Sequence, residues 1–574
     1  MQKFLYSKWT FHTPKREESS LISKETGIHP LLVQVLLNRK ITNPKTMKCF
    51  LEPTLSLLTD PFQMKDMDLA AERISQAIGK DEKICVYGDF DVDGITSVAI
   101  MVRFFRWLGK ETIYYIPHRI NEGYGLNIKA IKKIADEEVN LLITVDNGIN
   151  SVKEVEYANS LGLDVIITDH HQALDRLPPA LAVVDPNRED CNYPFQSLSG
   201  VGIAFKLIHA IAKRMGINPK DAKSFLMNQI DLVALGTIAD IVPILDENRI
   251  LVKYGLQKMQ KTTNIGLNTM LQLLGIIDKP VTSTNVGFYI APRLNAAGRT
   301  THASICVELL LTEDPLKAME IARHLNRLNE ERRSLEEGIL DDCVDQIESE
   351  IDVESERIIV VKGEGWHIGV LGIVASKLVE IYTRPVIVIS MEKDFARGSA
   401  RSIESYNIFE ALSDCKNLLI SFGGHKRAAG FKLKLNQIES FTKTISEHAK
   451  RKVSDDDLLS SILIDAEIST DDLNYNFVNS LSSLEPYGSG NPCPVFLLKN
   501  IKFNEPPRIV GKNHLKFSIS KNGYTFNGIA FSVADYIPSL KSTDFFWDIA
   551  ITPFINTWNG HELLEFEIKG ISPS

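Results

Sequence analysis

From residue 83 onward, short apolar and β-branched runs alternate with amphipathic stretches of helical length. The runs KICVYG, TIYYI, LLITV and DVIIT each lead into a polar or glycine-containing turn, and helix-like segments such as TSVAIMVRFFRWLG and IKAIKKIADE lie between them. This alternation predicts an α/β fold built on a parallel sheet. Between 201 and 275 the pattern turns mainly helical, in IAFKLIHAIAKRMG, DLVALGTIA and LNTMLQLLG.

At Asp314-Pro315 an N-cap acid precedes a proline at the first helical position. Ile321, Leu325, Leu328, Leu335, Ile339, Cys343 and Ile347 then mark one face of a helix reaching about residue 350. Roughly 35 residues at 1.5 Å each span about 50 Å, enough to join two domains. A second, smaller α/β unit follows, with strands RIIVV and PVIVIS around a glycine-rich helix entry. The stretch VSDDDLLSS (453–461) reads as a linker, and beyond it PVFLLKNIKF, HLKFSIS, YTFNGIAF, FWDIAITPFI and LLEFEIKGI predict a small β-barrel. The expected organisation is an N-terminal segment (1–50), a parallel-sheet domain (51–312), a connecting helix (313–352), a smaller α/β domain (353–452) and a barrel (462–574).

Composition narrows the class. The 574 residues carry 64 basic and 73 acidic side chains, a net charge of −9, with 44% hydrophobic and 24% charged residues, so several cores are affordable and a mostly disordered chain is excluded. The negative balance argues against a histone-like DNA binder, although a local basic groove or bound divalent cations would reverse the local sign. Cys49, Cys85, Cys191, Cys306, Cys343, Cys415 and Cys493 are scattered without a C-x-x-C and read as reduced thiols, mostly buried. The N-terminus lacks an apolar signal region and no run of about 18 apolar residues occurs, so a cytoplasmic protein without membrane insertion is expected.

Chemistry concentrates at strand ends. In Tyr87-Gly-Asp89-Phe-Asp91-Val-Asp93-Gly94 the spacing D-x-D-x-D-G resembles a calcium loop, but the twelfth residue is Ile100 and a strand precedes the motif. Alone, it reads equally as an acidic solvated turn or as a strand's carboxyl end delivering carboxylates. Two more runs break the tie: LLITV ends in Asp146-Asn147-Gly148 and VIIT ends in Asp169-His170-His171. Acids gathered at one sheet edge repel one another unless a cation sits among them. Carboxylates with one or two histidines and no cysteine suit Mn²⁺ or Mg²⁺ better than structural zinc. DLVALGTIADIVP offers Asp231 and Asp240 to close the set, and Asp240 is preferred because Asp231 is placed to begin a helix.

The set GDFDVDG, VDNG, TDHH and LGTIAD resembles the four motifs of the DHH phosphoesterase superfamily. PRLNAAGR (292–299), GWHIGVLGIVASK (365–377), GSARS (398–402) and GGHKRAAG (423–430) resemble the second half of its RecJ branch, including the DHHA1 domain. LEPYGSGNPCPVF (484–496) and HLKFSI (514–519) resemble that branch's oligonucleotide-binding barrel. The resemblance implies that Asp91, Asp93, Asp146, His170 and Asp240 ligate metal, that Asp169 orients the neighbouring imidazole, and that His171 faces the scissile phosphate. One position departs: some superfamily members carry a histidine ligand where this chain has Tyr87, which bears on the second of two metal sites and leaves Asp89 as the substitute ligand.

Arg119, in the loop after TIYYI, is a candidate phosphate clamp, and the competing reading is an exposed loop arginine. Arg293, Asn295 and Arg299 lie in an expected glycine- and alanine-containing turn, where a guanidinium could pair with a terminal 5′-phosphate or with a structural acid. His367, Ser399, Arg401, Ser402, Gly424 and His425 offer polar groups near glycine turns and a helix start, a setting for anions. In the tail, Tyr487, Phe496, Phe503, Phe517, Tyr524, Phe526, Phe531 and Trp558 interleave with Lys502, Arg508, Lys512 and Lys516; half of the aromatics are expected in the barrel core and the rest in a single-strand groove.

The resemblance implies a monomeric, metal-dependent 5′→3′ exonuclease that degrades single-stranded DNA to mononucleotides in recombination and mismatch repair, with a strand-coating protein and a helicase as partners. Two alternatives are a short-oligonucleotide or cyclic-dinucleotide phosphodiesterase and a noncatalytic DNA-binding replication scaffold.

Overall fold

Five apolar runs become strands β1 (Ile84–Gly88), β2 (Ile113–Tyr115), β3 (Leu141–Val145), β4 (Asp164–Thr168) and β5 (Ala182–Val184), all parallel, in the order β2-β1-β3-β4-β5. β1 and β3 are buried along their whole length, as both faces of the sheet are covered. With β2 on one side of β1 and β3 on the other, the loops leaving β1 and β3 part company, and a crevice opens at their carboxyl ends.

This computed structural model describes residues 4–5, 8–119, 121–173, 176–521, 523–540, 545–558 and 561–574. The chain divides into two compact units: Lys45–Glu330 with Leu484–Pro492, and Met1–Pro44 with Glu331–Ser483 and Cys493–Ser574.

In the first unit, helix α1 (Val92–Trp107) follows β1, and α2 (Gly200–Arg214), α3 (Pro219–Ala239) and α4 (Asp246–Met259) complete a helical layer. Ser199 caps α2 by accepting from Gly202 N–H, and Asn218 with Pro219 starts α3. Asp231 therefore does not begin a helix: it is buried in the interior of α3, where Thr262 Oγ1 donates to it. Residues 291–299, expected as a turn, form helix α5 (Ala291–Thr300), because a proline in the first helical turn is followed by alanines.

Two buried cations knit this unit together. Lys206 on α2 donates to Glu247 Oε1 at 2.5 Å and to the Thr59 carbonyl at 2.7 Å, while Glu247 also accepts from Thr59 N–H and Tyr193 Oη. Arg249 on α4 stacks 3.9 Å from the Phe50 ring centroid and donates to the carbonyls of Phe50, Leu484, Glu485 and Pro486. Tyr487, expected in the barrel, thus belongs to a segment of the sheet unit, where its carbonyl accepts from Ser283 Oγ.

Helix α6 (Pro315–Glu350) is one uninterrupted element of 36 residues. Its predicted apolar face is buried except at Leu335, which is 40% exposed; there buried Glu336 takes the inward position, paired with Arg332 and Lys377.

In the second unit, β6 (Ile359–Glu364), β7 (Val386–Met391), β8 (Phe395–Arg401), β9 (Leu419–His425) and β10 (Ala428–Lys434) pair in the order β9-β10-β8-β7-β6. Helix α7 (Leu371–Tyr382) packs on β7 and β8. The tail strands β11 (Ala466–Glu467), β12 (Phe496–Phe503), β13 (Arg508–Val510), β14 (His514–Lys521), β15 (Tyr524–Ala530), β16 (Trp547–Trp558) and β17 (His561–Pro573) run in the order β11-β12-β16-β17-β15-β14-β13, and an extra β12–β14 pairing closes the sheet on itself. The expected linker ends in a strand, Ser461–Ile464, that pairs in parallel with Lys8–Phe11, and Phe4 packs on Phe517 of the barrel, so the N-terminal segment is part of this unit's core.

Replacing Lys206 by Met should cost about 3–5 kcal/mol, because Glu247 is left as an uncompensated buried charge. Urea unfolding is expected to show this loss, with part of it recovered in the double variant Lys206→Met/Glu247→Leu.

Candidate metal centre

Beyond Gly88 the chain turns sharply into α1, and a Cβ on Gly94 would fall 2.6 Å from the Asp89 backbone, so only glycine permits the turn. Asp91 caps α1, its Oδ1 accepting from the N–H groups of Asp93 and Gly94 at 3.0 and 3.2 Å. Asp93 accepts from Gly200 N–H at 2.7 Å and Val201 N–H at 2.9 Å, at the start of α2. Asp146 follows β3 with φ +63°, and a Cβ on Gly200 would lie 2.6 Å from its carboxylate. Asp240 ends α3.

These elements bring the sequence-chosen acids together. His170 Nε2 lies 3.1 Å from Asp146 Oδ1, 3.6 Å from Asp240 Oδ2 and 4.0 Å from Asp93 Oδ2, while the imidazole is also hydrogen-bonded to the Leu198 backbone. Three sets have donor atoms within 4.8 Å of one another: Asp89 with Asp91 and Asp146, Asp93 with His170 and Asp240, and Asp146 with His170 and His171.

Burial and mutual repulsion dominate the electrostatics. Burial, then the charge of Asp91, pushes Asp93 up to about 7; burial, then Asp93 and Asp91, pushes Asp240 up to about 9. Asp89 and Asp146 are driven well above the usual carboxylate range, first by burial and then by neighbouring aspartates. His170 is lowered to about 4 by burial and by His171, so it is neutral at pH 7, as a ligand must be. His171 goes the other way: burial opposes its charge, but the hydrogen bond from Nδ1 to Asp169 Oδ1 at 2.7 Å and the charge of Asp169 raise it to about 9.

Among the described residues, buried Asp89 Oδ1, Asp146 Oδ1, His170 Nε2 and Asp240 Oδ2 have no hydrogen-bond partner. Orphaned buried acceptors among repelling carboxylates fit a divalent cation, and the oxygen-rich donor set fits Mn²⁺ or Mg²⁺. Tyr87 does not supply a ligand. Its hydroxyl donates to the Gly125 carbonyl and accepts from Asn127 Nδ2, and its ring stacks on Tyr115. Asp89, in the first set, stands at the edge instead.

Asp169 is fully buried and also accepts from the backbone N–H groups of Ile149, His170 and His171. Sequence reading missed Asp185, which follows the three-residue β5 and is pushed up to about 8 by burial and by Asp169. Its neighbour Asn187 donates to the His170 carbonyl. The same strand-end rule would have found it, had the run AVV been long enough to read as a strand.

Arg119 lies with Cζ 4.8 Å from the Phe90 ring centroid, and its charge is felt by Asp89, so it borders the acids. Arg293 donates to Asn326 Oδ1 at 2.9 Å and to the Tyr289 carbonyl at 2.7 Å. Asn295 and Arg299 sit one turn apart and half-buried on α5, whose Gly298 abuts the Phe90 carbonyl.

In the other unit, strand register sets Arg401, Ala428 and His425 in one row and Ser399, Gly430 and Gly423 in the next, a trough floored by small residues. Gly372, in the first turn of α7, approaches Arg401 and Ser399, and Arg401 Nη1 donates to Ser399 Oγ at 3.2 Å. His367 Nδ1 accepts from Gly369 N–H just before α7. Gly424 and His425 are exposed on β9, whereas Ser402 is buried and spends its hydroxyl on the Tyr406 carbonyl. On the barrel, Phe496, Phe503, Phe517 and Phe526 are core, Tyr524 and Phe531 are about half exposed (50% and 51%), and the side chain of Trp558 lies outside the described residues.

Residues 83–237 match the DHH family N-terminal domain, 355–451 the DHHA1 domain and 464–570 the RecJ OB domain. The single-stranded-DNA-specific exonuclease RecJ of Bacillus subtilis is 36% identical over 574 residues, covering 99% of this chain and 71% of that protein. The chain belongs to the RecJ family. The RecJ of Haemophilus influenzae is 33% identical over 96% of this chain and 98% of its own length. The crystal structure of RecJ in complex with Mn²⁺ from Thermus thermophilus superposes with a TM-score of 0.83 at 30% identity, over 100% of this chain and 80% of that one. Its Mg²⁺ complex gives a TM-score of 0.77 at 28% identity, over 100% of this chain and 79% of that one.

Without metal, the raised groups Asp93, Asp185, Asp240 and His171 hold protons in the folded state that the unfolded chain has released. Across about pH 6.5 to 9 the folded state therefore binds more protons, and stability falls as pH rises. In EDTA the melting temperature should drop through that window. Saturating Mn²⁺ should raise it more at the alkaline end, since cations and protons compete for the same atoms. Scanning calorimetry checks both, and a flat profile in EDTA would contradict the site.

Proposed function

We propose that this protein is a metal-dependent exonuclease that hydrolyses single-stranded DNA from the 5′ end to mononucleotides, in recombination and repair. The observation that carries the reading is the buried cluster of orphaned aspartate and histidine atoms at the sheet edge of a RecJ-family chain.

Two cations fit the residues. Asp93, His170 and Asp240 would hold one, Asp89 and Asp91 the other, with Asp146 between the two sets. Bound there, Mn²⁺ or Mg²⁺ would supply Lewis acidity toward a phosphoryl oxygen and lower the pKa of an attacking water. The chain's own groups do the rest. Asp169 locks His171 as an imidazolium that faces the scissile phosphate and offers a charged hydrogen bond to its oxygens. Tyr124 Oη, 3.1 Å from His171 Nδ1, helps to fix that ring.

Arg119, Asn295 and Arg299 in the sheet unit, and the trough of His367, Ser399, Arg401 and His425 in the other, bind the strand's phosphates. Arg293 and Ser402 serve packing. On the barrel, Arg508 stands directly across from Lys516 on the neighbouring strand. Glu505 pairs with Arg508 at 2.9 Å, and the two basic side chains on adjacent strands suit contact with a DNA backbone. No helix among the described residues is long and apolar enough to cross a membrane. We place the protein in the cytoplasm as a monomer, fed by a helicase and a strand-coating protein.

End-labelled single-stranded and duplex DNA, digested with Mn²⁺, Mg²⁺ or EDTA, tests the reading: only single strands with metal should shorten, releasing the 5′ label first. Asp146→Ala should abolish cleavage while retaining strand binding, and Asp169→Asn should cost roughly 10–100-fold, as loss of an orienting partner does. Cleavage in EDTA, or by Asp146→Ala, would sink the mechanism.

A further inference from the structure

Directly after Asp240, Ile241 has φ +64° and is 73% exposed. A β-branched residue is strained in the left-handed region, and such strain persists where surrounding structure enforces it, often at working sites. The enforcement is visible here: Ile241 N–H donates to the Ile238 carbonyl, Ile244 N–H donates to the Ser489 carbonyl at 2.7 Å, and Gly490 packs on Pro243 and Leu245.

Beside this turn, Val286–Ile290 makes a single π-helical turn, a form concentrated at functional sites. It packs on α3, with the Cβ position of Gly287 4.0 Å from Ile238. Its outward residues, Phe288 and Tyr289, are 76% and 49% exposed. Arg293 holds the turn by its bond to the Tyr289 carbonyl, and α5 continues from it to Gly298 beside Phe90. One end of the turn is thus tied to the helix that carries Asp240, the other to the loop that carries Asp89 and Asp91.

We propose that Phe288 and Tyr289, edged by Ile241, form a ledge beside the metal centre on which nucleobases of the substrate strand stack. Every base has a π face, so such a subsite binds without sequence preference. The proposal rests on the single-strand nuclease reading above. A protein partner on the same exposed aromatics is the competing occupant.

The test compares an oligothymidylate with an oligonucleotide of equal length whose bases are replaced by abasic residues, using the full-length protein. Phe288→Ala and Tyr289→Ala should each raise KM for the normal strand roughly tenfold, the middle of the range for a lost stacking contact, with a much smaller change in kcat. On the abasic strand wild type and variants should be alike, and Phe288→Trp should restore the difference between strands. An unchanged KM, an equal loss on both strands, or a Trp variant that behaves like Ala would overturn the ledge. Fluorescence anisotropy with the same two strands in EDTA reads base-dependent binding without cleavage. Absent cleavage by wild type would thus defeat the nuclease reading, while absent base-dependent binding would defeat the ledge.

Discussion

Repulsion among buried Asp89, Asp93 and Asp146 and half-buried Asp91 and Asp240, crowded at one sheet edge, is the constraint to which the rest of the sheet unit answers. Carboxylates this close cannot all ionise without compensation. Protonation relieves part of the strain, as the raised values of Asp93 and Asp240 show. Backbone N–H groups at the start of α2 relieve another part at Asp93. What remains are bare oxygens and one bare imidazole nitrogen, the surroundings in which a divalent cation is most strongly held.

Holding such a cluster requires a stiff frame. α1 and α2 begin at the acids, and α3 ends at one. Lys206 with Glu247 braces α2 against α4, and Arg249 threads four backbone carbonyls, three of them in the segment 484–486. That segment in turn supplies Ser489 to the turn beyond Asp240. Buried ion pairs and multidentate arginines are modest contributors to net stability, but they penalise any other arrangement strongly. Their value here lies in geometry: ligand atoms must stay within a few tenths of an ångström of where a cation needs them.

The two histidines of the DHH motif illustrate how neighbouring residues acquire opposite chemistry. His170 points among the acids, is stripped of water and stays neutral; His171 faces Asp169 and becomes a cation. The net charge of −9 has a similar local meaning, because part of the acidic excess is the site that draws cations to a phosphate-cutting edge.

Much of this was legible along the chain. Strand-end acids and histidines follow from a period-breaking rule: each apolar run must stop, and in a parallel sheet all runs stop at the same edge, so Asp89, Asp91, Asp93, Asp146, Asp169 and His170 converge whatever their separation in sequence. The long helix and the barrel strands are likewise local patterns. Tertiary structure alone decided the rest. Asp231 and Asp240 sit on one helix and differ only in what their ends meet. Arg293 turns to Asn326, Ser402 to the Tyr406 carbonyl, Tyr487 leaves the barrel's unit for the sheet's, and the N-terminal strand joins Ser461–Ile464. Periodicity reports which side of an element faces inward, but a side chain's partner, whether four residues away as for Ser402 or some two hundred as for Tyr487, is chosen by packing, which alone brings the groups within hydrogen-bond reach.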